Sequence, residues 1–160
     1  MKCYIPSADI RDSRLHRDMR GANIPSPCRM QIHYLLLDAA GSGLADTSKS
    51  YPFNDAGNAY VPVTDTLFDK DALVFEDGQL PSVGLVDADK KPFVTLTCTD
   101  FPYVGIWSKP DGPYVCLEPW IGRTDNMDFT GDLSEKPGEQ KLIANAETVH
   151  TYTIEFHSSI

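Results

Sequence analysis

The feature that most constrains this chain is a series of short apolar runs with period-two alternation, each closed by turn residues. Residues 81–86 set Val83 and Leu85 against Ser82, Gly84 and Val86. Residues 93–98 set Val94, Leu96 and Cys98 against Phe93, Thr95 and Thr97. The charged stretch 87–91 between them reads as a hairpin-like turn. Residues 101–107, FPYVGIW, form another aromatic and β-branched run, and 114–117 one more. Lys109-Pro110-Asp111-Gly112 joins them, a turn in which proline presets φ and glycine accepts a positive φ.

The same reading extends upstream. Residues 31–38, QIHYLLLD, predict a strand apolar on both faces, followed by a loop at 39–43. Residues 48–58 are rich in turn formers, and 60–63 predict a short strand. Residues 65–70 suit one helical turn capped by Thr64 or Asp65, with Leu67 and Phe68 facing inward. Residues 71–76 return to strand, 122–137 form a long polar loop, and 148–156 form the last strand. Residues 1–28 differ: they are basic, proline-bearing and poor in periodic apolar positions. They predict a poorly structured N-terminal arm, with 29–160 as the folded part. The whole predicts an all-β fold, an antiparallel β-sandwich.

At 160 residues the chain suits one domain with a real core. Its net charge of −9 supplies no basic stripe for phosphates, so a nucleic-acid partner is not expected. The longest apolar run, 34–37, is far short of a membrane span, and no membrane partner is expected. The N-terminus lacks the apolar core of a signal peptide. Cys3, Cys28, Cys98 and Cys116 are widely spaced and form no CxxC pair, so no metal site is expected. A reducing, cytoplasmic setting fits these cysteines.

One carboxylate stands out. Glu118 follows Val115-Cys116-Leu117 and precedes Pro119-Trp120. A charge at the end of an apolar strand is costly to bury unless something compensates it. Beside aromatic walls, such a group suits proton handling or sugar binding.

Several separate motifs, in one order, carry a family resemblance. They are LFDKDALVF at 67–75, DFPYVGIWSKP at 100–110, YVCLEPW with Gly122 at 114–122, and Gly131-Asp132-Leu133 with Glu135, Lys136 and Gly138. Together they resemble the C-terminal half of the aldose 1-epimerase (galactose mutarotase-like) family, in its bacterial lactose-operon-type branch. The resemblance covers roughly residues 32–156. It implies a galactose mutarotase-like supersandwich with its N-terminal half missing, and no metal or organic cofactor. It also implies an isomerase that interconverts the α and β anomers of a free hexose. A glutamate takes the proton of the anomeric hydroxyl while a histidine protonates the ring oxygen.

By that resemblance Glu118 is the general base, and Asp71 hydrogen-bonds sugar hydroxyls. An aspartate opening a strand is otherwise a turn or cap residue. Trp120 is a candidate to stack on a sugar face, and Trp107 reads as core. The family's histidine segments have no counterpart around His16, His33, His150 or His157. The expectation is therefore a truncated, catalytically impaired epimerase, active only with a complementing N-terminal half. The alternative is a non-catalytic carbohydrate-binding or structural remnant. A sugar-phosphate substrate would draw on Arg123 and Lys109, the cations nearest Glu118 in sequence. A half sandwich leaves strand edges and an apolar face uncovered, which favours self-association.

Overall fold

The computed structural model describes residues 22–25, 32–37, 41–54, 59–110 and 112–158. Their alternating runs pair into two five-stranded antiparallel sheets. The back sheet has the order β10-β7-β6-β1-β4, with β1 at Asn23–Pro25, β4 at Tyr60–Pro62, β6 at Ser82–Val86, β7 at Pro92–Thr97 and β10 at Thr153–Phe156. The front sheet has the order β3-β2-β5-β8-β9, with β2 at His33–Leu37, β3 at Ala45–Pro52, β5 at Leu73–Phe75, β8 at Tyr103–Trp107 and β9 at Cys116–Trp120. The predicted all-β sandwich is what forms.

The core lies between the sheets. Val83 pairs with Leu96 and Leu85 with Val94, so these four side chains share one face of the back sheet. Leu73 pairs with Ile106, and Ile106 with Leu117, on the inner face of the front sheet. One apolar cluster joins both sets, with Ile24, Phe53, Phe75, Phe101 and Val104. Phe75 sits at its centre, edge-on to Phe53 with ring centroids 5.0 Å apart.

Three local expectations differ from the structure. Within the stretch read as an arm, β1 is an inner strand of the back sheet, and Ile24 is fully buried. Three residues are too few to show a period, so neighbouring strands decide their conformation. The rest of the arm, with His16, lies outside the described residues. The turn-rich stretch at 48–58 contains most of β3, an eight-residue strand. β3 is an edge strand, with Thr47, Ser48, Lys49 and Ser50 exposed, so it needs no apolar alternation. Residues 65–70 make consecutive tight turns rather than a helix, with Leu67 N donating to Thr64 O, Asp69 N to Thr66 O and Asp71 N to Phe68 O. Phe68 does face inward.

After β9 the chain crosses the width of the front sheet. It leaves Trp120 on one edge strand and reaches Ala45 on the other. There Ala45 N donates to Asp125 O, and Met127 N donates to Ala45 O. Arg123 anchors this crossing midway. Its Nε donates to Glu76 Oε1 at 2.7 Å, just past the end of β5, and its guanidinium lies over the Tyr103 ring. The loop then makes a 3-10 turn at Leu133–Glu135 and runs largely exposed to β10. Among the described residues no helix is long and apolar enough to cross a membrane.

Candidate functional site

The inner face of the front sheet is committed to the core, so any site built by these strands uses the outer face. Side chains alternate, and paired residues share a face. Leu35 pairs with Val74, Val74 with Gly105, and Gly105 with Glu118. These four form one row across β2, β5, β8 and β9. Trp107 pairs with Cys116 on one side of this row, and Tyr103 with Trp120 on the other. Leu35, Ala72 and Val74 form a second apolar cluster, and Trp107 and Trp120 pack against it. Val74 is fully buried although it points away from the sandwich core, because the indoles cover it.

Glu118 stands at the rim of this cluster. The sequence places it at a strand end, but the structure places it in the middle of β9. Pro119 does not stop the strand, because β9 is a sheet edge where outward N–H groups need no sheet partner. Glu118 is half-buried. The indole Nε1 of Trp120 donates to its Oε2 at 3.1 Å. The indole reaches that position by lying across β8 at Gly105. A Cβ at Gly105 would stand 2.5 Å from the Cζ2 of Trp120 and 2.7 Å from its Cη2. Trp107, expected in the core, is half-buried and packs against both the main core and this second cluster, with its ring 6.3 Å from that of Tyr114.

Asp71 is exposed and lies two residues before β5. Its φ is 76°, a left-handed turn conformation that aspartate tolerates better than most residues. Its Oδ1 accepts from Ala72 N at 2.7 Å. Asp71 thus closes the turn into β5, and no hydrogen bond among the described residues links it to Glu118.

The cations expected near Glu118 take different places. Arg123 is buried in its ion pair with Glu76 and also donates to Thr124 O, so it is not free to hold a phosphate. Lys109 is exposed in the turn after β8. His33 lies on β2, three strands from Glu118, or about 14 Å at ordinary strand spacing. His150 packs beside Phe101, and the Nε2 of His157 lies 2.9 Å from Thr95 Oγ1 on the back sheet. None of these three described histidines stands beside Glu118. Among the described residues no cluster of three His, Cys, Asp or Glu is placed to hold a metal ion.

Gly105 and the Glu76–Arg123–Tyr103 group are functional-site neighbours that sequence reading passed over. The Glu-x-Trp spacing was an available signal for the carboxylate–indole pair that Gly105 accommodates. On a strand it puts both side chains on one face, within reach of each other.

Fold and site thus define an antiparallel β-sandwich protein with a carboxylate–indole pair on an outer sheet face. No family model matches the chain. It is 25% identical over 114 residues to protein LacX of Lactococcus lactis subsp. lactis, in plasmid and chromosomal forms, covering 71% of this chain and 38% of LacX. A galactose mutarotase related enzyme from Lactobacillus acidophilus superposes with a TM-score of 0.74 and 28% identity, covering 89% of this chain and 47% of that one. A galactose mutarotase-like protein from Lactobacillus casei shares the fold, with a TM-score of 0.69 and 21% identity over 86% of this chain and 47% of that one. The chain has the β-sandwich fold of galactose mutarotase-like proteins, and it spans less than half the length of each of these relatives.

Proposed function

We propose that the outer face of the front sheet binds a hexose, with Glu118 as general base of an aldose 1-epimerase-type reaction. Glu118 Oε1 accepts the proton of the anomeric hydroxyl. The C1–ring oxygen bond breaks, an acid protonates the ring oxygen, and C1 becomes a carbonyl carbon. Rotation about C1–C2 and re-closure, with both protons returned, gives the other anomer. Trp120 and Trp107 offer apolar ring faces to the sugar, and Asp71 offers its exposed carboxylate to hydroxyls.

The observation that carries this reading is the half-buried Glu118, fixed by an indole on the outer face of the front sheet, away from the sandwich core. The similarity to a galactose mutarotase related enzyme supports the substrate class. The acid is the weak part of the site, because none of the described histidines stands beside Glu118. General acid assistance contributes about 10²–10⁴-fold, so this chain alone is expected to turn over slowly. That same observation favours a second reading, a sugar-binding module without turnover. Exposed Leu142, Ile143, Val149 and Phe156 offer apolar contact to a second copy or a complementing half that brings the acid. The free, buried thiol of Cys98 fits a cytoplasmic setting.

Polarimetry of freshly dissolved α-D-glucose and α-D-galactose tests the proposal. Anomerisation faster than in buffer, and abolished in Glu118→Gln, supports the enzyme. Calorimetric sugar binding without acceleration supports the module. Neither rate nor binding refutes both.

A further inference from the structure

Resting on the reading of Glu118 as a base, we propose that Trp120 is a positioning residue for it. The indole N–H holds Oε2 and so orients Oε1 for a ligand, and the missing side chain at Gly105 is what lets the indole lie there. Three observations converge. First, Trp120 follows Glu118 by two residues on a regular strand, so both project from the outer face. Second, the indole Nε1 donates to Glu118 Oε2 at 3.1 Å. Indole has one donor and no acceptor, so this bond uses its whole polar capacity. Third, the ring has no freedom to lie elsewhere without losing contacts. It packs against the cluster of Leu35, Ala72 and Val74 on one side, and it crosses β8 at Gly105.

The glycine is the specific requirement. A methyl group there would sit closer to the indole than any real contact allows, and both objects are stiff. The ring is rigid, and the backbone at Gly105 is paired on both sides, to Val74 and to Glu118. The indole would have to swing away and release the carboxylate. A glutamate on an edge strand otherwise turns about three side-chain torsions, and fixing it ahead of binding removes an ordering cost from the reaction. Trp120 therefore serves the site through its edge, while its face covers Val74 and stays available to a sugar.

The test follows the indole N–H of uniformly ¹⁵N-labelled protein, with the Trp107 and Trp120 signals assigned by single Trp→Phe variants. As pH is lowered from neutrality into acid, the Trp120 signal moves in the wild type and stays fixed in Glu118→Gln. A wild-type signal that does not move, or that moves equally in Glu118→Gln, overturns the inference. Gly105→Ala, if folded by circular dichroism, loses the coupled movement. If it does not fold, Gly105→Ala combined with Trp120→Ala recovers stability, because the smaller residue clears the clash. Failure of that recovery removes the role given to the glycine.

Where anomerisation is measurable, Trp120→Phe lowers kcat by about 10- to 100-fold with KM little changed, as expected for a misplaced group. Loss of N–H coupling with anomerisation intact overturns this inference alone. Intact coupling with no sugar turnover or binding overturns the mutarotase reading and, with it, the positioning role.

Discussion

The two faces of the front sheet are made by the same strands and differ in almost every physical respect. Inward, Leu73, Phe75, Val104, Ile106 and Leu117 are all but fully buried and belong to one apolar cluster. Outward, residues offset by one position are Val74, Gly105, Trp107, Glu118 and Trp120. There burial is achieved by two indoles lying over the sheet rather than by a second sheet. The difference shows how one strand can serve stability and chemistry at once. The period of two lets selection for volume act on one set of residues and selection for polar geometry act on the other. A carboxylate facing inward would be costly, whereas facing outward it needs only one donor to hold it.

The comparison breaks if stability and activity do not separate by face. The largest effect is expected inside. Phe75→Ala removes a ring packed edge-on to Phe53 and close to Tyr34. It should cost about 3–5 kcal/mol, read as a lower midpoint in urea unfolding. On the outer face, Glu118→Gln keeps an oxygen for the indole and should change stability by less than about 1 kcal/mol. It should nevertheless lower whatever anomerisation the protein shows by about 10²-fold or more, measured by polarimetry. A Glu118→Gln variant as unstable as Phe75→Ala would make the carboxylate structural and end the distinction.

An intermediate effect belongs to the chain that crosses the sheet after β9. Arg123 has a side chain only 4% exposed, while that of its partner Glu76 is 25% exposed. Arg123→Met would leave the Glu76 carboxylate without its cation but not without water. The cost is therefore expected near about 1–3 kcal/mol, below that of splitting a fully buried pair. The same variant should loosen Asp125–Met127 from Ala45, seen as faster amide exchange at Ala45 and Met127.

What could be read in the sequence follows from the same contrast. The strands that build the core were legible because burial on one face leaves alternation behind, as in Val83 and Leu85 or Val94 and Leu96. β3 was not, because an exposed edge strand is held by hydrogen bonds to β2 and carries no apolar signature. β1 was not, because three residues inside a basic stretch show no period at all. Glu118 was legible as a residue, through the motif around it, but not as a position. The proline after it suggested a strand end, and only the edge location of β9 explains why the strand continues. Arg123 looked like a free cation because sequence adjacency to Trp120 says nothing of Glu76, 47 residues away.

The smallest effect sharpens the comparison by leaving both faces untouched. Asp132 caps the 3-10 turn at Leu133–Glu135, accepting from Ser134 N at 2.9 Å, while Glu135 Oε2 accepts from Asp132 N at 3.2 Å. Hydrogen bonds from Ser134, side chain first and backbone second, hold the Asp132 carboxyl below its ordinary value. A carboxyl lowered by folding adds stability that is present above its unfolded value. That stability is lost as pH falls through the lower folded value. Because Asp132 is fully exposed, the consequence is local. The Ser134 amide should lose its protection and shift in acid, while β8 and β9 amides stay unchanged in the same titration. Asp132→Asn keeps an oxygen that can cap the turn and removes the charge, so it should abolish the pH dependence and preserve the turn. If acid instead disturbs the amides of β8 and β9 together with Ser134, the loop is coupled to the front sheet through its Arg123 anchor. The outer face would then be less independent of its surroundings than its contacts indicate.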